Sequence, residues 1–227
     1  MKSKFAVLAL GLALALPLVA QKKEEERLAN AATVLQQTLA DNNGLPKSIL
    51  DKAECILIFP SVKKVAIGVG GSYGKGVLVC RKGATFNGSW GSPVMYSLDQ
   101  GSLGVQLGTT ATDFVLVIMN QKGVDQILNG KMKLGSNAAA AAGPTGAQAG
   151  SYNAASMNVD VLTYSRSKGL FAGVSLEGAS MDTDKDANKS LYGNDMTTKD
   201  IISGNQPMTA SAKNLIGVLD KASPARK

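Results

Sequence analysis

Histidine is missing from all 227 residues. Its absence removes the commonest general base, the Ser-His-Asp and Cys-His nucleophile arrangements, and the commonest transition-metal ligand. Cysteine is nearly absent too, with only Cys55 and Cys80. Two are far from a disulfide scaffold; in an oxidising compartment they could pair, and otherwise their apolar neighbours suit burial better than a reactive thiol. Aromatics are few: five Tyr, five Phe and the single Trp90. They are not interleaved with basic residues as a base-stacking platform requires, so no nucleic-acid partner is expected. No Asp/Glu spacing singles out an acid/base couple. With neither nucleophile nor base nominated, the chain reads as non-catalytic, without metal or cofactor. Acid is also missing locally: none lies between Glu54 and Asp99, yet Lys63, Lys64, Lys75, Arg81 and Lys82 fall inside that window.

What is present begins with "MKSKFAVLALGLALALPLVA". Lys2 and Lys4 precede an apolar run from Phe5 to Leu16, Pro17 breaks it and Ala20 ends it. That is the order of a secretory signal peptide, and the run is short for a membrane span of about 20 residues. Residues 1–20 are therefore expected to be removed, giving an exported, periplasmic or secreted protein. Losing Lys2 and Lys4 and no acid lowers the formal net charge from +7 to +5. About 200 remaining residues suffice for one core. No later stretch is long and apolar enough to cross a membrane.

Residues 24–40 read as a helix whose Leu28, Ala32, Leu35 and Leu39 form one apolar stripe. The stripe could insert into a bilayer surface or pack on a sheet; the Asn and Gln along its polar face favour packing. Gly44 caps its end, and Pro46 opens a short second helix. From Cys55 the pattern becomes strands. "CILIF" is closed by Pro60, and 65–71 and 76–82 form a hairpin around "SYGK". "VMYSL", "SLGVQLG", "DFVLVIM", "MNVDVLTYSRS" and "GLFAGVSLEGAS" continue the sheet. "VDQILNG", "DKDANKSLYG" and "TASAKNLIGVLDKA" are helical, and the low-complexity segment 135–150 is a loop. The class is α+β: a curved, glycine-rich, mainly antiparallel sheet, open or closed to a barrel-like form, flanked by helices at both chain ends. The organisation is a signal peptide (1–20), an N-terminal helix (21–44) and one domain (45–227).

"GVGGSYGKGVLV", residues 68–79, tests a nucleotide-binding reading. A phosphate-cradling loop built on Gly74 and Lys75 needs Gly where Val69 stands and a hydroxyl where Gly76 stands. The dinucleotide pattern begins at Gly68 and Gly70 but meets Tyr73 in its last position. Alternating Val and Ile on both sides make it sheet. "DTDKDANKSLYG" opens like a calcium loop, but Ala187 stands where Gly is needed and Gly193 where a bidentate Glu is needed. A solvated loop entering a helix is the better reading. In the expected hairpin, Lys63 and Lys64 lie near the end carrying Arg81 and Lys82, Lys75 lies at the opposite turn end, and Arg166 and Lys168 add to the positive edge. Such an edge could hold an anionic surface, or serve as a solvated face that blocks edge pairing.

The segments "ILIFPSVKKVAIGVGGSYGKGVLV", "SLGVQLGTTATDFVLVIM", "YSRSKGLFAGVSLEG" and the following "LYG" resemble the SYLF domain family over about residues 45–219. The resemblance implies a lipid-binding module; eukaryotic members bind phosphoinositides in membrane trafficking, and some bind actin. Lys63, Lys64 and Lys75 fall inside the matching motif and are carried over as headgroup contacts. The expected function is therefore peripheral association with anionic phospholipid membranes through a basic sheet edge. The alternatives are a protein-interaction scaffold and a carrier of an apolar ligand.

Overall fold

The computed structural model describes the backbone of residues 4–67, 69–103, 108–129, 132–134, 140–145, 159–167, 170–172 and 178–226. Helix α1 spans Lys4–Ala40, so the helix expected from residue 24 is continuous with a helical backbone before it. The short α2 is Lys47–Leu50. Then come the strands β1 (Cys55–Ile67), β2 (Val69–Cys80), β3 (Val94–Leu103) and β4 (Gly108–Ile118). Helix α3 is Gln121–Leu128, and β5 (Met132–Lys133), β6 (Ala140–Ala142), β7 (Val161–Ser167), β8 (Leu170–Ala172) and β9 (Ser180–Thr183) follow. The chain closes with α4 (Lys185–Tyr192), α5 (Thr198–Ser203) and α6 (Ala210–Ala222).

All nine described strands join one curled sheet in the order β5-β9-β3-β2-β1-β4-β7-β6, with β8 also on β7. Every pairing is antiparallel except β6 on β7. The α+β class with a curved, mainly antiparallel sheet is thus observed. The expected loop at 135–150 contains one strand, Ala140–Ala142; residues 135–139 and 146–150 lie outside the described residues, as does Lys168.

The sheet is apolar on both faces. Ile56, Ile58, Val77, Val79, Val115 and Val117 meet Leu28, Leu35, Leu191, Leu215 and Leu219 on the face covered by α1, α4 and α6. The alternate residues Leu57, Phe59, Leu78, Leu116 and Ile118 meet Val124, Ile127, Ile201 and Ile202 of α3 and α5. This explains why "CILIF" and "DFVLVI" are continuous apolar runs: the period-2 alternation of a strand supplies both faces. The α1 stripe packs inside the domain, with Leu28 and Leu35 fully buried and Leu39 partly so.

Side chains cap the later helices. Asn120 accepts from the Gly123 N–H ahead of α3, and Asp184 from the Ala187 N–H ahead of α4. Thr197 and Asp200 form a reciprocal capping box on α5, an element the sequence reading overlooked. Gly193, at φ 79°, ends α4 in the left-handed conformation that suits glycine.

The hairpin register corrects the expectation. Ile67 pairs with Val69 at the closed end of the hairpin, and "SYGK" lies inside β2. Pro60 does not end the first strand. It sits in an irregularity between Phe59 and Val62, where a missing N–H is tolerated. Two glycines of β2 accommodate that bend. A Cβ on Gly76 would lie 2.6 Å from the Ile58 carbonyl oxygen, and one on Gly74 would lie 2.7 Å from Cγ2 of Val62. The glycine-rich motif is a close-approach strand, as its flanking Val and Ile indicate.

Candidate functional site

The corrected register redistributes the basic residues. Lys63 pairs with Tyr73 and Lys64 with Ser72, while Cys55 pairs with Cys80. Lys63 and Lys64 therefore lie at the Lys75 end of the hairpin, and Arg81 and Lys82 at the other. At a rise of about 3.3 Å per residue the separation from Lys75 to Lys82 is roughly 23 Å. The single basic edge expected from the sequence is two separate sites.

Arg81 is fully buried. Its Nε donates to the Ala53 carbonyl at 3.2 Å, Nη1 to the Pro224 carbonyl at 2.9 Å and Nη2 to the Ser223 carbonyl at 3.2 Å. The guanidinium also stacks 4.2 Å from the Trp90 ring, whose Nε1 donates to Ser223 at 2.9 Å. Burial holds its pKa below the ordinary arginine value. Arg81 is a rivet between the end of β2 and the C-terminal segment, not a surface contact for a headgroup. Beside it, Cys55 and Cys80 are joined in a disulfide.

Arg166 is likewise committed. Its Nε and Nη2 both reach Asp113 Oδ2, at 3.1 and 2.6 Å. The other Asp113 oxygen accepts the Ser61 N–H at 2.9 Å, fixing Ser61 at φ 52° in the β1 irregularity. Lys75 Nζ lies 2.9 Å from Asp184 Oδ2, which also takes Arg27 Nη1 at 3.3 Å. Burial pulls the Lys75 ammonium down, but the hydrogen bonds and charge from Asp184 and Tyr73 outweigh it and hold its pKa above the usual lysine value. Burial pushes Asp184 up, and Lys75, the Ala187 N–H and Arg27 more than reverse that. Glu24, buried beside Arg27, goes the other way: burial outweighs the neighbouring cation and raises its pKa.

Around this ion cluster is a surface groove of about 290 Å³ between α1 and the hairpin. Helix α1 contributes Lys23, Glu26, Arg27 and Asn30; β1 contributes Lys63; β2 contributes Tyr73 and Lys75. Lys23 and Lys63 are exposed and make no ion pair with a described carboxylate. Lys64, next along the strand, is half-buried and directed to the other face. Tyr73 is 50% exposed, the one large apolar side chain so exposed among the described residues, and Lys75 Nζ lies 5.4 Å from its ring centre.

Of the seven basic residues singled out in the sequence, the groove brings together Lys63 and Lys75, with Lys64 adjoining. It excludes Arg81, Lys82 and Arg166, and Lys168 is not described. Sequence reasoning missed Lys23, Arg27 and Tyr73. The helical spacing of Lys23, Arg27 and Asn30, opposite the Leu28–Leu35 stripe, was the available signal. Asp184, the centre of the calcium-like run, spends its carboxylate on two cations and a helix cap. No group of three His, Cys, Asp or Glu suited to a metal occurs among the described residues.

A family model, "Ysc84: Las17-binding protein actin regulator", matches residues 99–222. The chain is 36% identical over 82% of its length to an SH3 domain-containing protein of Schizosaccharomyces pombe, covering 43% of that protein. It is 30% identical to Protein YSC84 of Saccharomyces cerevisiae over 89% of the chain and 43% of the relative. It is also 30% identical to the human SH3 domain-containing YSC84-like protein 1, over 90% of the chain and 60% of the relative. The chain spans about half the length of the curated relatives it matches. With the matched region running from within β3 through α6, and the relatives aligned over 82–90% of the chain, the chain belongs to the SYLF (Ysc84) domain family.

Proposed function

We propose that this chain is a non-catalytic, exported binding domain that docks on anionic phospholipid surfaces through the Lys23–Lys63–Tyr73 groove. The observation that carries the reading is the exposed Tyr73 ring in a groove with Lys23 and Lys63, neither paired with a described carboxylate, and with Lys63 opposite Tyr73 on the neighbouring strand. A tyrosine suits the membrane interface because its ring is apolar and its hydroxyl stays wet. Each lysine near an anionic surface contributes about 1 kcal/mol, weakening as salt rises. Export is supported by the order of residues 1–20 and by the Cys55–Cys80 disulfide, which suits an oxidising compartment. N-terminal sequencing of the protein recovered from fractionated cells is expected to begin near Gln21; recovery of the intact leader in the cytoplasm would refute export.

The membrane reading is tested by liposome flotation with zwitterionic and anionic vesicles at low and high salt. Anionic vesicles at low salt are expected to carry the protein, and Lys63→Glu with Lys64→Glu, or Tyr73→Ser, to abolish or sharply reduce this. Absence of flotation under every condition would overturn it. A second reading, a protein-interaction scaffold, is favoured by the family description as an actin regulator and by the relative named LAS seventeen-binding protein 3. It predicts capture of a protein partner that is indifferent to lipid charge.

A further inference from the structure

A second, larger cleft of about 610 Å³ opens at the other end of β2. Its floor is apolar: Phe86 from the loop after β2, Leu128 from α3 and Ile202 from α5. Its rim carries Lys82 and Lys199. Neither lysine has a carboxylate within ion-pair distance among the described residues. Lys82 Nζ donates instead to the neutral Asn205 amide oxygen at 2.7 Å. The one acid of the lining, Asp125, accepts from Gln121 Nε2 at 2.8 Å. An apolar floor of this volume beneath two unneutralised cations has the dimensions and polarity of a small-molecule site.

The loop that forms one wall is held in place unusually firmly. Phe86 has φ 52°, a left-handed conformation that a bulky side chain adopts only when its surroundings enforce it. Its N–H donates to the Gly83 carbonyl at 3.2 Å, and Gly83 itself is at φ 92°. The loop is closed by Lys82 N–H to Ser89 O at 2.9 Å and Gly88 N–H to Lys82 O at 2.9 Å. It springs from the Cys55–Cys80 disulfide and the buried Arg81. The strained residue is the one whose ring floors the cleft, and the ties around it preform that floor, which lowers the ordering cost of binding.

We propose that this cleft binds a small amphiphilic anion: a carboxylate or phosphate held by Lys82 and Lys199, with its apolar body laid over Phe86, Leu128 and Ile202. The proposal is independent of the membrane-docking groove, which shares none of these residues. A free fatty acid and a single-chain phospholipid would both supply the chemistry.

Titration calorimetry on the full chain, with decanoate, decyl phosphate and uncharged decyl maltoside below their micelle thresholds, tests it. At least one anion is expected to bind, and binding of both, or only one, identifies the carboxylate or phosphate source. The uncharged probe, and Lys82→Gln with Lys199→Gln on either anion, should each bind at least about tenfold more weakly. Lys199→Glu alone, at an exposed helix position, should act in the same direction with an unchanged melting temperature. Lys63→Glu with Lys64→Glu should leave decyl-anion binding unchanged even where it abolishes flotation. The proposal is overturned by absence of anion binding, by equal binding of the uncharged probe, or by loss in the Lys63/Lys64 variant but not in the Lys82/Lys199 variant.

Discussion

The two ends of the β1–β2 hairpin use positive charge in opposite ways. At the Cys55–Cys80 end, Arg81 is buried, its donors go to backbone carbonyls, and a disulfide crosses the strands beside it. At the other end Lys63 is exposed, without a described carboxylate partner, opposite the exposed Tyr73, and Lys75 is shared with Asp184. A cation whose donors are all spent inside the fold contributes stability. One with free donors at the surface contributes almost none and is available to a partner. Within one hairpin, a basic residue is structural at one end, Arg81, and exposed without a described carboxylate partner at the other, Lys63.

The comparison predicts that the largest loss comes from the riveted end. Arg81→Ala leaves the Pro224 carbonyl without its donor, takes one of two donors from the Ala53 and Ser223 carbonyls, which keep Arg226 and Trp90, and empties the space over Trp90. The expected destabilisation is about 4 kcal/mol: about 1–3 for the abandoned Pro224 carbonyl, about 1 for each of the two shared hydrogen bonds and about 1 for the cation–π contact with Trp90. At 2–4 °C per kcal/mol for a chain of this size, a melting temperature lower by roughly 8–16 °C is the readout. Next, Cys55→Ser with Cys80→Ser opens a loop with a separation of 25 residues. Loop-closure entropy sets that loss at about 3 kcal/mol, measurable as a lower denaturation midpoint in urea. If either change left stability untouched, the account of this end would fail.

The strand content, the terminal helices and the sheet nature of the glycine motif were legible because they rest on local pattern: Val and Ile alternation, and helical spacing of Leu28 and Leu35. The hairpin register was not. "SYGK" has the composition of a turn, and Pro60 has the chemistry of a strand end, yet both lie in continuous strands. What decides between the registers is packing on both sheet faces, to which local composition is blind. One non-local signal was present. If Cys55 and Cys80 are opposite partners, the midpoint between them falls between Ile67 and Val69, which do pair with each other. The candidate groove was half legible for the same reason. Lys63 and Lys75 lie in the acid-free window, but Lys23 and Arg27 join them only through the docking of α1 across the sheet. Arg81 and Arg166 show the limit of counting charges: their partners include carbonyl and carboxylate groups 28 to 143 residues away in sequence.

A smaller effect is expected where the two uses of charge meet. Asp184 joins Lys75 and Arg27 and caps α4, and Asp184→Asn should cost about 1–2 kcal/mol at neutral pH. The sign with pH follows from the depressed folded-state pKa. The contribution of Asp184 is present above its unfolded value near pH 4 and is lost as pH falls through the lower folded value. Glu24 opposes this, because its raised pKa means that its ionised form costs stability at neutral pH and protonation relieves it. Thermal melts at pH 7 and pH 3 should therefore show the gap between the Asp184→Asn variant and the unaltered protein closing at the lower pH. A constant gap would mean that the carboxylate's charge is not what holds the cluster.

The smallest expected effect on stability is the most discriminating. Lys63→Glu with Lys64→Glu reverses two charges on β1, at the end of the hairpin away from Arg81, and neither lysine makes an ion pair with a described carboxylate. The melting temperature should move by no more than the equivalent of about 0.5 kcal/mol, the usual range for surface substitutions, while flotation on anionic vesicles is lost. A large drop in stability would place Lys63 and Lys64 in the same structural role as Arg81 and erase the contrast between the two ends. Unchanged stability together with unchanged flotation would keep the contrast in packing but remove its functional meaning. Only loss of binding without loss of fold separates a cation held for a partner from a cation held for the protein itself.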